Sequence, residues 1–306
     1  MSNLTDLKKI RLKPFLVTFV STFLILLFVL SQSQAQTLDS AKINKKRFRG
    51  LVIGSGVTYI GSMIGLSQIW YSNYDKQSFH FFNDAPEWKQ TDKAGHFYSA
   101  FQLSSISSKA LQWSRFPKNK SDKIGALTSF MILSSIEALD GFSAGYGASA
   151  SDLIANATGS AFYLSQHFIW NEVRIYPKFS FHKTGFASIR PNILGSGLME
   201  EMLKDYNGQT YWLSVDMDKF GRFPKWLNLA VGYGAEEMIY GRDMQNKANG
   251  YNPHRQFYLN LDFDLTAIHT KSKLVNGLIF FANMIKLPGP AIMFSKKSTK
   301  AYALYF

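Results

Sequence analysis

Three pairs of polar residues recur at helical spacing inside stretches that are otherwise apolar. The pairs are Asp92 with His96, Glu137 with Asp140, and Asp152 with Asn156. Residues three or four apart lie on one face of a helix. Because a buried polar group is costly unless it finds a partner, we expect these six residues and Lys93 to converge in one polar cluster.

A cluster of this composition has two chemical uses. One histidine with several carboxylates can hold a divalent metal ion, and His96, Glu137 and Asp152 are the candidate ligands, although their spacing identifies no particular ion. A histidine beside a buried carboxylate also suits proton transfer. His96, Glu137 and Asp140 are therefore the candidate catalytic residues, and a divalent metal is the one candidate cofactor.

Each residue also has a structural explanation. Asp152 stands three residues after Ser149, which makes a Ser-x-x-Asp variant of the capping box. Asp92 suits the first turn of a helix, and a residue such as Lys93 is usually solvated. The structural explanation is weakest for Glu137, because this residue closes an uncharged run over 124–136 and nothing near it in sequence satisfies it.

Enzyme motifs fit the sequence poorly. No Gly-x-Ser-x-Gly elbow lies between a strand and a helix, and the chain has no phosphate-binding loop, dinucleotide fingerprint or His-Glu-x-x-His pair. The sequence favours a non-enzymatic structural module, or one that binds lipid or a small ligand. The alternative is a membrane-associated enzyme that uses a His/carboxylate site on a lipid-linked or phosphorylated envelope substrate.

Composition indicates a membrane environment. Charged residues make up 18% of the chain, below the roughly 25% of average soluble proteins, and the formal net charge is +13. With no nucleic-acid-binding signature present, this charge favours anionic lipid headgroups over nucleic acid. Partners are therefore expected to be membrane lipid or envelope components. The absence of cysteine excludes disulfides, thiolate sites and a lipid-modified cysteine.

The N-terminus predicts export. Residues 1–13 are basic, residues 15–30 are apolar and uncharged, and Ser33 and Ala35 offer a small-x-small cleavage site. Residues 1–35 are therefore interpreted as a secretory signal, with an uncleaved anchor as the alternative. A basic linker follows over 36–49. The expected location is the bacterial cell envelope, on the periplasmic side or at the outer membrane.

Residues 50–175 are expected to form a four-helix, membrane-associated bundle. Its helical segments are 50–74, 91–113, 124–137 and 152–170. The first segment carries no charge and contains the pair Gly61 and Gly65, whose spacing permits close helix approach in lipid. A buried core helix is the competing explanation for this segment.

Residues 176–306 are expected to form an antiparallel β region, so the fold class is α+β. Phe257, Leu259 and Leu261 alternate with polar residues, which is typical of strands buried on one face. The same alternation recurs over 211–218, 227–233 and 301–306. A helix is expected over 272–285. An outer-membrane β-barrel is a third hypothesis for the protein, but this helix interrupts the eight strands that a barrel needs.

The motifs resemble two known families. The elements are Asp92-Lys93-x-x-His96, Glu137-x-x-Asp140-Gly141 and Asp152-x-x-x-Asn156-x-x-Gly159. Their order and spacing are similar to the YfiM-like family of predicted bacterial periplasmic or envelope lipoproteins of unknown function, a resemblance that continues through 205–210, 232–236 and 286–288. Over 92–160 the chain also resembles VanZ-like membrane proteins more distantly. The resemblance implies an envelope protein and no established reaction.

Overall fold

The computed structural model describes residues 43–71 and 74–306, so the predicted signal over 1–35 and the first part of the linker lie outside the described residues. Within them the chain forms eight α-helices and one six-stranded antiparallel sheet. The α+β class is confirmed. The division of the chain into domains stays a prediction.

Four long helices precede the sheet. They are α1 (Lys45–Trp70), α2 (Thr91–Trp113), α3 (Lys118–Asp140) and α4 (Ala150–Trp170). The predicted segments 91–113 and 152–170 agree with α2 and α4 within two residues. Helix α3 begins earlier than predicted, because Pro117 stands at its N-cap with φ fixed at −58° and the basic residues after it continue the helix.

Helices α2, α3 and α4 pack against one another, while α1 has few contacts with them. Phe48 lies against Phe116 of the loop before α3, and the Tyr59 hydroxyl lies 2.6 Å from Ser135 Oγ. Only 6% of the most apolar stretch of α1 is buried. The close pack therefore has three helices instead of the expected four, and the buried-core explanation of α1 is wrong. Among the described residues, α1 is the one helix long and apolar enough to cross a membrane.

A glycine brings α2 and α4 into backbone contact. A Cβ atom at Gly159 of α4 would lie 2.2 Å from the carbonyl oxygen of Phe97 in α2. The missing side chain therefore sets how closely the two helices approach. This contact is one residue from His96 and one helical turn from Asn156, so it also sets the spacing of the polar cluster.

The strands follow one another in sheet order as a simple meander. They are β1 (Ile175–Phe181), β2 (Gln209–Val215), β3 (Leu227–Glu236), β4 (His254–Phe263), β5 (Gly289–Ser295) and β6 (Thr299–Tyr305). The sheet also curls, because Phe179 of β1 pairs in parallel with Ile285, just before β5. Short helices lie between the strands: α5 (Pro191–Leu194), α6 (Leu198–Lys204), α7 (Asp243–Ala248) and α8 (Lys273–Ala282).

The predicted alternation in β4 is present, but the buried face is the polar one. Tyr258, Asn260 and Asp262 are buried, while Phe257 and Leu259 are about half exposed. Inside the curl, Lys178 Nζ lies 2.7 Å from Asp262 Oδ2. The polar side chains can face inward because they satisfy one another there. The predicted half-buried strand is therefore present, with its polar face inside.

The helices and the sheet share an interface along α2. The Tyr98 ring packs against Phe179 of β1 and Tyr211 of β2, with ring centroids 5.9 and 6.0 Å away. Gly95 meets the same tyrosine of β2, since a Cβ atom there would lie 2.7 Å from the Tyr211 hydroxyl. The first half of α2, which carries Asp92 and His96, is thus held between the other helices and the sheet.

Candidate functional site

The predicted polar residues meet where α2 begins, α3 ends and α4 begins. Asp92, Lys93 and His96 come from the first turns of α2, Glu137 and Asp140 from the last turn of α3, and Asp152 and Asn156 from the first turns of α4. Six of the seven are linked by ion pairs or hydrogen bonds of 3.8 Å or less. Asp140 lies at the edge, where its Oδ1 accepts a hydrogen bond of 2.6 Å from the Tyr71 hydroxyl.

Lys93 lies at the centre of three carboxylates. Its Nζ atom is 2.7 Å from Asp84, 2.8 Å from Asp92 and 2.7 Å from Asp152, and its side chain is 13% exposed. It is therefore a buried counter-ion and not the solvated lysine that its position in sequence suggested. These negative neighbours more than offset the effect of burial and raise the pKa of Lys93.

The orientation of His96 is set by Asn156. The Asn156 side-chain oxygen lies 3.0 Å from His96 Nδ1, and since an amide oxygen only accepts, Nδ1 carries the proton. In the neutral ring the Nε2 lone pair is then free. Nε2 faces Asp92 Oδ1 and Asp152 Oδ1, each 3.7 Å away. A second partner that fixes the tautomer in this way is the usual arrangement behind a metal-binding histidine.

Glu137 is buried beside this histidine with one oxygen unpaired. Its Oε2 accepts a hydrogen bond of 3.3 Å from the Ser149 backbone N–H. Its Oε1 has no hydrogen-bond partner and lies 3.8 Å from His96 Nδ1. Burial, together with the charges of Asp152 and Asp140, raises the pKa of Glu137 to about 9.

The capping role expected of Asp152 is half present. Ser149 is the N-cap of α4, and its Oγ accepts a hydrogen bond of 3.0 Å from the Asp152 N–H. The Ser149 backbone N–H, however, turns to Glu137 and not to Asp152. The Asp152 carboxylate is therefore free to face Lys93 and His96, so its place in the cluster is compatible with its place at the cap.

The carboxylates of the cluster outnumber its cations. Burial raises the pKa of Asp152 to about 7 and that of Asp140 to about 6. Asp84 differs, because hydrogen bonds from Asp152, Lys93 and two serines outweigh burial and lower its pKa to about 2. Protons therefore supply part of the positive charge that the cluster needs.

Two members of the cluster were not identified from the sequence. Asp84 lies in the aromatic segment before α2, and its Oδ1 also accepts hydrogen bonds from the Ser149 and Ser151 hydroxyls. Tyr206 precedes β2, and its hydroxyl donates a hydrogen bond of 2.9 Å to Asp92 Oδ1. No spacing pattern points to Asp84. Tyr206 stands in one of the segments that carry the YfiM-like resemblance, which was its one signal.

The chain enters the cluster through a left-handed turn. Trp88, Lys89 and Gln90 have φ angles of 47°, 52° and 66°, directly before α2 begins. Left-handed residues other than glycine cost roughly 1–2 kcal/mol each. The turn is held from the β side, since the Tyr233 hydroxyl donates to the Lys89 carbonyl and Trp88 N–H donates to the Gly241 carbonyl at 2.7 Å.

Asp92, His96 and Asp152 have the geometry of a metal site. One candidate ligand atom from each lies within 4.8 Å of the others. Tetrahedral ligands about 2.1 Å from a zinc ion stand about 3.4 Å apart. The two His–Asp distances of 3.7 Å need to close by a few tenths of an ångström, and the Asp92 and Asp152 oxygens, which lie within 4.8 Å of each other, would also have to move together. The three candidate metal ligands, the metal triad, are therefore Asp92, His96 and Asp152. The sequence suggested Glu137 in place of Asp92, but Glu137 faces Nδ1 of His96 and not Nε2.

The cluster is reachable from solvent but lies outside the main cavity. The His96 and Asp92 side chains are 21% and 20% exposed. A cavity of about 410 Å³ lies towards the other end of α2, lined by residues such as Lys109, His167 and Asp216. None of the cluster residues lines this cavity.

Comparison with known proteins places this site within a family segment. Residues 80–167 match the model of a family described as "Predicted periplasmic lipoprotein (DUF2279)". The matched segment contains Asp84 and all seven predicted site residues, and it confirms the expected location in the cell envelope. No curated protein and no solved structure matches the chain. Membership of the YfiM-like and VanZ-like families stays a prediction.

Proposed function

We propose that this envelope protein is a non-enzymatic binding module that holds a divalent cation between Asp92, His96 and Asp152. The observation that carries the proposal is the position of His96 Nε2, which lies 3.7 Å from a carboxylate oxygen of Asp92 and of Asp152, while Nδ1 lies 3.0 Å from the Asn156 side-chain oxygen. The ion would be bound directly by the two carboxylates and the imidazole, with Tyr206 and Asn156 orienting them from behind.

The charge of the cluster supports a cation. Five carboxylates converge there (Asp84, Asp92, Glu137, Asp140 and Asp152), and the ion pairs described for them come from Lys93 and His96 alone. Burying unpaired charge is costly. A divalent ion would supply two positive charges between the carboxylates of Asp92 and Asp152. Lys93 opposes the ion, but it is already shared among three of the acids.

The donor atoms favour a transition metal over magnesium or calcium. Imidazole suits zinc and its neighbours, whereas magnesium and calcium prefer oxygen ligands alone. One nitrogen and two carboxylate oxygens therefore predict an affinity order of Zn²⁺ above Mn²⁺ above Mg²⁺. Water molecules would complete the coordination at the exposed side of the cluster.

The test is calorimetric titration of the purified, chelator-treated full chain with Zn²⁺, Mn²⁺ and Mg²⁺. We expect one zinc ion per chain, and we expect His96→Gln and Asp152→Asn each to weaken zinc affinity by roughly 100-fold, because even an outer-shell partner is worth 10–100-fold. His167→Gln is the matched control, since His167 is also a partly buried histidine beside a carboxylate, 3.5 Å from Asp122. If His167→Gln lowers zinc affinity as much as His96→Gln, or if the wild type binds no metal, the proposal is wrong.

A second candidate is an acid–base enzyme that acts on a lipid-linked or phosphorylated envelope substrate. One observation favours it, the unpaired Oε1 of buried Glu137 beside His96. A phosphate group, however, would be repelled by the excess of carboxylates unless a cation were bound first. The enzyme therefore depends on the same ion.

Glu137→Gln separates the two candidates, because Glu137 lies outside the metal triad. It should bind zinc like the wild type and, if the protein is a binding module, should restore the phenotype of a deletion strain. Unchanged zinc affinity and melting temperature with lost complementation would favour the enzyme.

A further inference from the structure

The exposed face of the sheet carries a continuous group of apolar side chains. This apolar belt consists of Val231, Phe257, Leu259, Leu261, Ile292 and Phe294, each at least 40% exposed. The register makes them neighbours: Val231 pairs with Leu259, Leu259 with Ile292, and Phe257 with Phe294. A contiguous apolar patch of this kind on a protein surface marks a contact with another molecule or with a membrane.

The side chains on the opposite, inner face of the same strands are polar and are paired with one another. Asp262 accepts a hydrogen bond of 2.6 Å from Ser214 and pairs with Lys178, and Asn228 donates a hydrogen bond of 3.2 Å to Ser214. The sequence thus places polar side chains inward and apolar side chains outward on the same strands. In water the opposite arrangement is favoured, so the strands are patterned for an apolar surrounding.

Basic side chains flank the belt at both ends, and an exposed tryptophan flanks it at one end. Exposed basic residues at the β3–β4 and β5–β6 turns are Arg255, Lys296, Lys297 and Lys300, and those at the β2–β3 turn are Arg222 and Lys225. At the second end the half-exposed Trp226 stacks on Phe263 with ring centroids 6.1 Å apart. Aromatic rings and basic groups at the edges of an apolar band are typical of the membrane–water interface.

Helix α8 shows a similar exposed apolar surface. None of its residues is buried, and Leu274, Leu278 and Phe281 are 74%, 61% and 52% exposed. Lys271 and Lys273 stand at its N-terminal end. A short amphipathic helix with lysines at one end commonly lies in the interfacial layer of a bilayer.

We propose that the apolar belt faces the acyl chains of a lipid bilayer, with the basic residues at its ends among anionic headgroups. A second copy of the chain is the competing occupant, but two copies joined by this face would bring like-charged ends together on a chain of net charge +13. Anionic headgroups neutralise those ends instead. Helix α1, which is long and apolar enough to cross a membrane, is a separate feature that fits this occupant. This proposal uses none of the metal-site residues, so neither proposal depends on the other.

The absence of cysteine allows single spin labels to test the belt. Leu259→Cys and Ile292→Cys would be made in the full chain, labelled with a nitroxide and reconstituted in vesicles of phosphatidylethanolamine and phosphatidylglycerol. Lys247→Cys, on the exposed surface of α7, is the control that should face water. Oxygen, which concentrates in acyl chains, and a polar nickel chelate, which stays in water, would serve as collision reagents. Circular dichroism would show that each labelled protein is folded.

We expect oxygen to relax the labels at 259 and 292 more strongly than the nickel chelate, and the reverse at 247. Stronger relaxation by nickel at 259 and 292 would show that the belt lies in water and would overturn the proposal. Protection from both reagents, with spin–spin broadening between chains, would show that a second copy covers the belt and would also overturn it.

Discussion

Replacing Lys93 by methionine tests whether the cluster is short of positive charge. Lys93 Nζ lies within 2.8 Å of oxygens from Asp84, Asp92 and Asp152, and its own side chain is 13% exposed. Lys93→Met keeps most of the volume and removes the cation. The three acids would then face one another with no lysine between them.

The size of the effect follows from burial. Removing one partner of a buried ion pair costs roughly 3–5 kcal/mol, and Asp84 and Asp92 keep some contact with solvent, at 17% and 20% side-chain exposure. We therefore expect a loss of about 3 kcal/mol, which for a protein of this size lowers the melting temperature by roughly 6–12 °C. Saturating Zn²⁺ should recover part of this loss, because the ion replaces the missing charge. Zn²⁺ should also bind more tightly to Lys93→Met than to the wild type.

The assay is thermal unfolding followed by circular dichroism in detergent, with and without Zn²⁺. Lys118→Met is the matched control, because Lys118 pairs with the single carboxylate of Asp122 at 2.9 Å and is 40% exposed. Its loss of stability should be smaller than that of Lys93→Met and should not respond to zinc, because Asp122, although only 2% exposed, keeps the hydrogen bonds from the Ser108 and Tyr163 hydroxyls. If the two variants lose the same stability, or if zinc protects Lys93→Met no better than the wild type, the reasoning about charge in the cluster is refuted.

Two further predictions concern other parts of the fold. Gly159→Ala should lower stability by about 1–3 kcal/mol and weaken zinc binding, because the added methyl group meets the Phe97 carbonyl. The control is Gly65→Ala, which should have neither effect because a Cβ atom there meets nothing. Equal melting temperatures for the two variants would contradict the contact between the helices. Burial and the neighbouring Asp218 raise the pKa of Asp216 to about 7, so the folded protein binds more protons than the unfolded one between about pH 4 and 7 and loses stability as the pH rises through that range. Asp216→Asn should therefore be more stable than the wild type by up to about 4 kcal/mol above pH 7 and equal to it near pH 4. Denaturant unfolding across pH measures the difference, and a constant difference at all pH values would contradict the shift.

Much of the candidate site could be predicted from the sequence, because its geometry is local to helices. Asp92 and His96 share a helical face at a spacing of four residues, and the uncharged run before Glu137 indicated that this acid needs a partner elsewhere. Lys93 was expected in the cluster, but its role as the shared counter-ion could not be predicted. Its role depends on Asp84 and Asp152, which come from other segments and meet it only in the folded chain.

Prediction of the fold was also limited by contacts between residues that are far apart in sequence. Alternation in β4 predicts a strand and divides its residues between two faces, but it does not say which face is inside. In water the face with Phe257 and Leu259 would be buried, and here the face with Asn260 and Asp262 is buried. The deciding partner of Asp262 is Lys178, far away in β1, and no local pattern identifies such a pair.

The pairing of Phe179 with Ile285 constrains the order in which the chain can fold. Helices α2, α3 and α4 contact one another across short connections, so they can assemble as soon as they leave the export machinery. The curl of the sheet joins β1 to a segment near the C-terminus, and contacts between distant residues form slowly. We therefore expect the pairing of Phe179 with Ile285 to form after the three helices have packed together.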